Sequence, residues 1–238
     1  MDEHRVSAIF ARQHGLITRA QSGATRDEIH HRLRTERWIR VGRNVYRLAG
    51  VPVTWEQRAL AACLVAGVGA VVSHRSAAVL FGVSGFRPGR VEITVPPGRN
   101  NCNPLARVHR SVVERSTRRE GVPVTHAART LADLSRVVSP PLLEEAVDDL
   151  LCRRLVKLAA IEPGTKALRT VLEAWNGDGE AATRAEMRVV RALLATGLPQ
   201  PTRQHWIGPI RARVDLAYPH ERIAIELDSF RWHGGRRP

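Results

Sequence analysis

The chain has 238 residues, enough for one large domain or two to three small ones. Its 43% hydrophobic and 25% charged residues mark a globular rather than a disordered protein, and no apolar run approaches the ~18 residues of a membrane span. Thirty-seven Lys+Arg against 23 Asp+Glu give a net charge of +14, a balance that suits nucleic acid; because the only lysines are Lys157 and Lys166, an Arg-rich coding bias explains the same excess.

Cys63, Cys102 and Cys152 lie far apart and form no CxxC pair, which argues against a disulfide framework or a zinc site. With no apolar run behind MDEHR, the expected setting is the reducing cytoplasm, with no membrane partner.

In chain order, EHRVSAIFARQH (3–14) has helical spacing of Val6, Ile9 and Phe10 and meets Gly15, a stop. A short helix is predicted from Thr18 to near Gly23. Thr25-Arg26-Asp27-Glu28 is a capping box that starts a third helix, with Ile29 and Leu33 inward and Arg26, Arg32, Arg34 and Arg37 largely outward. WIRVGRNVYRLAG (38–50) then alternates apolar and basic residues around Gly42-Arg43-Asn44, the pattern of a hairpin. This is the layout of a winged helix-turn-helix. Its third helix would read the major groove of double-stranded DNA, and Arg40, Arg43 and Arg47 on the wing would meet phosphates. A packing module with a solvated basic face reads the same way.

Gly15 to Thr18, Arg32 to Arg37, and Val45 to Arg47 also carry a resemblance. The stretch from Gly15 to Gly50 resembles the N-terminal domain of AbiEi-type antitoxins, winged-helix regulators of abortive-infection toxin-antitoxin systems. That resemblance implies transcriptional regulation and a cognate toxin as partner.

Beyond Pro52, Thr54 caps an apolar helix, and SHRSAAVLFG forms a second one ending at Gly82. RVEITVPP (90–97) and ARVHRSVV (106–113) read as strands. Thr125 opens a helix through THAARTLADLSRV, and Ser139-Pro140 opens another with an apolar stripe from Leu142 to Leu151. Ser73-His74-Arg75 reads as a helix N-cap rather than a nucleophile and its base, because no third member is placed. His109 and Arg110 would touch phosphate or face water. The segment is similar to the small α/β unit that follows the winged helix in AbiEi-like proteins, and VPVTHAARTLADLSRVV is its most recognisable part.

The last sixty residues place three carboxylates, Asp215, Glu226 and Asp228, on either side of the turn in RVDLAYPHERIAIELD (213–228), with Glu221 in the turn itself. A four-residue turn at Pro219–Arg222 sets Asp215 across from Glu226, with Asp228 on the same face and Val214, Leu216, Tyr218, Ile223, Ile225 and Leu227 on the buried one. Such a cluster either holds a hard divalent ion, Mg²⁺ or Mn²⁺, or pairs Asp228 with Arg213 in a surface ion pair worth at most ~1 kcal/mol. Upstream, TRAEMRVVRALLATG (183–197) is a helix with Glu186 at the edge of its apolar face.

A helix bearing Glu186, a strand, Arg213-Val214-Asp215-Leu216, Ala224-Ile225-Glu226-Leu227-Asp228-Ser229, then Trp232-His233: this order resembles the PD-(D/E)xK nuclease core and, more closely, very-short-patch-repair-like endonuclease domains. The resemblance implies metal ligation by Asp215, Glu226 and Asp228, proton transfer by His233 and an orienting role for Glu186. Ser229 replaces the usual Gly, and the related domain continues past the position of Pro238, so a truncated domain, weak or inactive as a nuclease, is expected.

The expected whole is an α/β (α+β) protein. It comprises a winged helix-turn-helix (1–51), a small α/β domain (52–161), a linker helix (162–180) and a partial restriction-endonuclease-like fold (181–238). The expected function is that of a DNA-binding, AbiEi-like regulator or antitoxin. The alternatives are an active Mg²⁺-dependent DNA endonuclease and a toxin-neutralising module over residues 54–160.

Overall fold

Asp2 accepts the Arg5 N–H and starts α1 (Glu3–Arg12), which buries Val6 and Phe10, one turn apart. The structure is a computed structural model that describes residues 2–98, 103–173, 175, 184–208 and 211–227. After α1 come β1 (Leu16–Thr18) and α2 (Arg19–Ser22), the latter held by a Thr18/Gln21 capping box and ended by Gly23 at φ 60°. The predicted Thr25/Glu28 box opens α3 (Arg26–Arg34): the Thr25 N–H donates to Glu28 Oε2 (2.7 Å) and the Glu28 N–H to Thr25 Oγ1 (3.2 Å). That backbone hydrogen bond from Thr25, backed by its hydroxyl, holds the Glu28 carboxyl below the usual range.

β2 (Trp38–Gly42) and β3 (Val45–Leu48) form the expected hairpin, its tight turn using Asn44 at φ 57°. β1 pairs with β3 on the other side, giving the antiparallel order β1-β3-β2. The Gly-Leu-Ile-Thr stretch thus closes a sheet, a role three residues of sequence do not reveal. Val6, Phe10, Ile17, Ala24, Ile29, Trp38 and Tyr46 fill the core between these helices and the sheet, Phe10 meeting Trp38 edge-on at 5.6 Å.

The chain continues through α4 (Trp55–Ala66), β4 (Val71–Val72), α5 (His74–Leu80), β5 (Val91–Val95), β6 (Ala106–Arg110), β7 (Ser116–Arg119), β8 (Val122–Thr125) and α6 (Ala127–Leu134). The strands order as β6-β5-β4-β8-β7, with β5/β6 and β4/β8 parallel and the other pairs antiparallel. The helix predicted to open at Thr125 starts after His126 instead. Thr125 is a buried β8 residue whose hydroxyl meets Thr130 Oγ1 at 2.8 Å, so it has no cap to offer. The N-terminal helices and this sheet belong to one compact unit ending at Val137. Gln57 Nε2 donates to His14 O (2.6 Å), and a side chain at Gly42 would run into Val65 of α4, so the hairpin is packed down on that helix.

The second unit begins at Val138. It contains α7 (Pro140–Cys152), a 3₁₀ turn (Leu158–Ala160), α8 (Lys166–Glu173), α9 (Arg184–Ala195), β9 (Thr202–Ile207), β10 (Ala212–Tyr218) and β11 (Ile223–Ile225), the strands in antiparallel order β11-β10-β9. Asp148 of α7, nearly fully buried, accepts both terminal nitrogens of Arg191 from α9 and the Trp175 indole N–H (3.0 Å). Both units mix helix and sheet, as the α/β expectation required. No described helix is long and apolar enough to cross a membrane.

Candidate functional site

Seven arginines were expected to face DNA, and local packing sorts them. Arg26 and Arg34 of α3, Arg37 in the turn that follows it, and Arg40 and Arg43 on the hairpin are exposed. Arg32 turns inward: it pairs with Glu3 of α1 and its guanidinium sits 5.4 Å from the Trp38 ring centroid. Arg47 donates to Val51 O (2.7 Å), which ties the end of the hairpin to the chain that follows it. Asp27 and Glu28 occupy the first turn of α3 and His31, Arg32 and Arg34 the last, so the acids and bases complement the helix dipole. The exposed positive charge therefore gathers at the C-terminal end of α3 and runs on into β2.

In the second unit Leu216 lies opposite Ile225 and Tyr218 opposite Ile223. This is the register that sets Asp215 against Glu226. Asp215 Oδ2 accepts the Leu227 N–H (2.8 Å) and Oδ1 the Gln204 side-chain amide (3.3 Å), while Glu226 is exposed. Ile223, expected on the buried face, is 49% exposed, because β11 is a sheet edge and its first residue lies at the turn. Asp228 and His233 lie outside the described residues.

Glu186 is more deeply placed than the edge of an apolar face: it is 4% exposed, beside fully buried Met187 and one turn before fully buried Val190. Its electrostatic partner is Arg203 of β9, which is also buried, 5.7 Å from the Trp175 ring. Burial draws the Arg203 guanidinium below its ordinary pKa, and the Glu186 carboxylate opposes that shift.

A third constellation was not assembled from the sequence. Ser73 holds the N-cap position of α5, yet its hydroxyl makes no cap hydrogen bond. Instead it accepts from Thr94 Oγ1 (2.8 Å) and meets His74 Nδ1 at 2.9 Å. The His74 ring stacks on His109 of β6 with centroids 3.6 Å apart and planes 15° apart. Glu92 of β5 completes the group: Oε2 lies 3.1 Å from His109 Nε2 and Oε1 3.3 Å from Arg75 Nη1. Asp133 of α6 stands behind His74, Oδ2 being 3.9 Å from Nδ1, while Oδ1 accepts from Arg129 Nε (2.8 Å). Burial, then the neighbouring His109, pushes the His74 pKa down to about 4, and burial raises that of Asp133. Parallel pairing of β5 and β6 aligns Thr94 with His109, which brings Glu92 within reach on the same face. Strand pairing reveals the group, since His74, Glu92 and His109 are 17 or more positions apart in the sequence.

These features define the chain as a mixed α/β protein with an exposed basic helix-and-hairpin face. No family model matches the chain. Its similar proteins include uncharacterized protein MT2308 of Mycobacterium tuberculosis strain CDC 1551 / Oshkosh and uncharacterized protein Rv2248 of strain ATCC 25618 / H37Rv. Each is 30% identical over 178 residues, a match covering 70% of this chain and 65% of the relative's length. Among solved structures, the crystal structure of the RV2827C protein from Mycobacterium tuberculosis aligns at a TM-score of 0.43 and 16% identity, covering 82% of this chain and 77% of that one.

Proposed function

We propose that this protein is a DNA-binding regulator of the AbiEi-like antitoxin type, using residues 1–51 as a winged helix-turn-helix. The observation that carries this reading is the element order helix, strand, helix, helix and hairpin, with Arg26 and Arg34 exposed on the third helix, Arg37 just after it, and Arg40 and Arg43 on the hairpin. In that arrangement α3 enters the major groove of double-stranded DNA and the hairpin follows the phosphates. A net charge of +14 adds non-specific attraction to the polyanion. A cognate toxin is the protein partner that the AbiEi resemblance implies.

A second reading, metal-dependent endonuclease, is favoured by one observation, the register that brings Asp215 opposite Glu226. Oxygen donors of this kind suit Mg²⁺ or Mn²⁺, and Asp215 and Glu226 would hold it, with Asp228 as a third acid. Such an ion supplies an activated water and neutralises phosphate charge.

One experiment separates the two. Supercoiled plasmid is titrated with the protein in Mg²⁺, in Mn²⁺ and in EDTA, beside Glu226→Ala. The regulator reading expects retarded but intact plasmid in all three conditions and in the variant. Metal-dependent nicking that Glu226→Ala abolishes would establish the nuclease, and no retardation at low salt would overturn the DNA-binding reading.

A further inference from the structure

We propose that His74, Glu92 and His109 form a binding site for a late first-row divalent metal ion, best matched to Zn²⁺. One ligand atom from each residue lies within 4.8 Å of the others, and they are supplied by three elements, the start of α5, β5 and β6. Two imidazoles and a carboxylate are the donor set of open zinc sites, in which water or a substrate takes the fourth position. The site is independent of the DNA-binding reading.

The surroundings supply what such a site requires beyond three ligands. His74 and Glu92 are each 6% exposed, and sequestering them costs desolvation that an apolar pair in the same place would avoid. His74 also takes φ +54°, a left-handed backbone that side-chain-bearing residues adopt at some cost, at the point where its ring is aimed at His109. Its Nδ1 is occupied by Ser73 Oγ, which leaves Nε2 to ligate. Behind that ring, Asp133 Oδ2 is buried, with no hydrogen-bond partner among the described residues, 3.9 Å from Nδ1. A hydrogen-bond partner on the distal nitrogen of a ligating imidazole, here the Ser73 hydroxyl, fixes tautomer and ring direction, and the Asp133 carboxylate adds negative charge behind it. Glu92 divides its oxygens similarly, Oε1 to Arg75 and Oε2 toward the site, the arrangement of a monodentate ligand.

Loading requires one rearrangement. Imidazole lone pairs lie in the ring planes, so two rings stacked 3.6 Å apart cannot both address one ion. His109 is the ring that turns: it stands on β6, an edge strand of the five-stranded sheet, and its side chain is 21% exposed. Turning it exchanges its hydrogen bond with Glu92 for a shared ion.

The test is titration of the EDTA-treated full chain with Co²⁺, a visible-absorbing substitute for Zn²⁺, followed by Zn²⁺ competition. A d–d absorption band that saturates at one ion per chain, is displaced by Zn²⁺ and survives Asp215→Asn is expected. His109→Gln, at a part-exposed edge position, and the isosteric Glu92→Gln should each abolish the band and weaken Zn²⁺ binding by more than about 100-fold. Absence of the band, or an equal band in wild type and His109→Gln, would overturn the site. A Zn²⁺-dependent rise in melting temperature in wild type but not in His109→Gln supports it by a second readout, and an equal rise in both counts against it.

Discussion

Arg32 of α3 reaches across to Glu3 of α1 and lies over Trp38, so a residue that reads as DNA-facing from its position in an Arg-rich helix is part of the helix packing. Its side chain is 15% exposed while that of Glu3 is 73% exposed. The ion pair is thus largely screened and most of the benefit is the covered indole. Arg32→Ala is expected to cost about 1 kcal/mol in urea unfolding and to leave the salt dependence of DNA binding nearly unchanged. Arg34→Ala should do the reverse. Equal effects of the two on DNA affinity would show that the packing does not divide them.

Asp148 and Arg191 tie α7 to α9 through a buried pair, with Trp175 on the same carboxylate. Removing Asp148 leaves the largely covered Arg191 guanidinium with the more distant Glu144 carboxylate, Oε2 at 3.8 Å, in place of its two-nitrogen partner. Asp148→Ala should therefore destabilise the second unit by about 3 to 5 kcal/mol, measured by thermal unfolding. A loss under 1 kcal/mol, the range of exposed pairs, would mean water reaches Arg191.

His74 refuses a proton that the unfolded chain accepts, because its folded pKa is about 4 against an ordinary 6.5. In EDTA, stability should be fully present above about pH 6.5 and fall as the pH drops toward 4, by about 2 kcal/mol after solvent screening. His109, Glu92, Asp133, Arg129 and Arg75 all face or surround this ring. Asp133, whose pKa is raised, works in the opposite sense. Comparison with His74→Asn isolates the histidine, since Asn tolerates the left-handed backbone. Identical pH profiles of the two proteins would contradict the assignment.

The Cys63 thiol is fully enclosed and burial pushes its pKa up to about 12. In a Cys102→Ala/Cys152→Ala background, a thiol reagent at pH 8 should label nothing until denaturant unfolds the chain. Rapid labelling of the native protein would show that α4 opens locally.

Much of the fold was legible because its signals are local. The Thr25/Glu28 capping box, Ser139-Pro140 and the Pro219–Arg222 turn each act within a few residues, and the structure contains all three. What was hidden depends on pairing across long separations. β1, β4 and β8 are two to four residues long and become strands only through partners such as β3, β5 and β7. For the same reason Ser73, which does hold the N-cap position of α5, gave no sign of its hydroxyl's partner: nothing near it in sequence announces Thr94. Arg32 and Arg47 likewise looked equivalent to their neighbours until Glu3 and Val51 took them up.

The central claim is that the α3 and hairpin arginines meet DNA phosphates and bases. The most direct measurement is fluorescence anisotropy of a labelled duplex across a KCl series, for wild type and for Arg34→Ala/Arg37→Ala/Arg40→Ala/Arg43→Ala. Wild type should show a steep log–log salt dependence, and the variant should bind more weakly, its slope reduced by roughly 0.9 for each arginine that neutralises a phosphate. The same affinity and slope in both proteins would contradict the account.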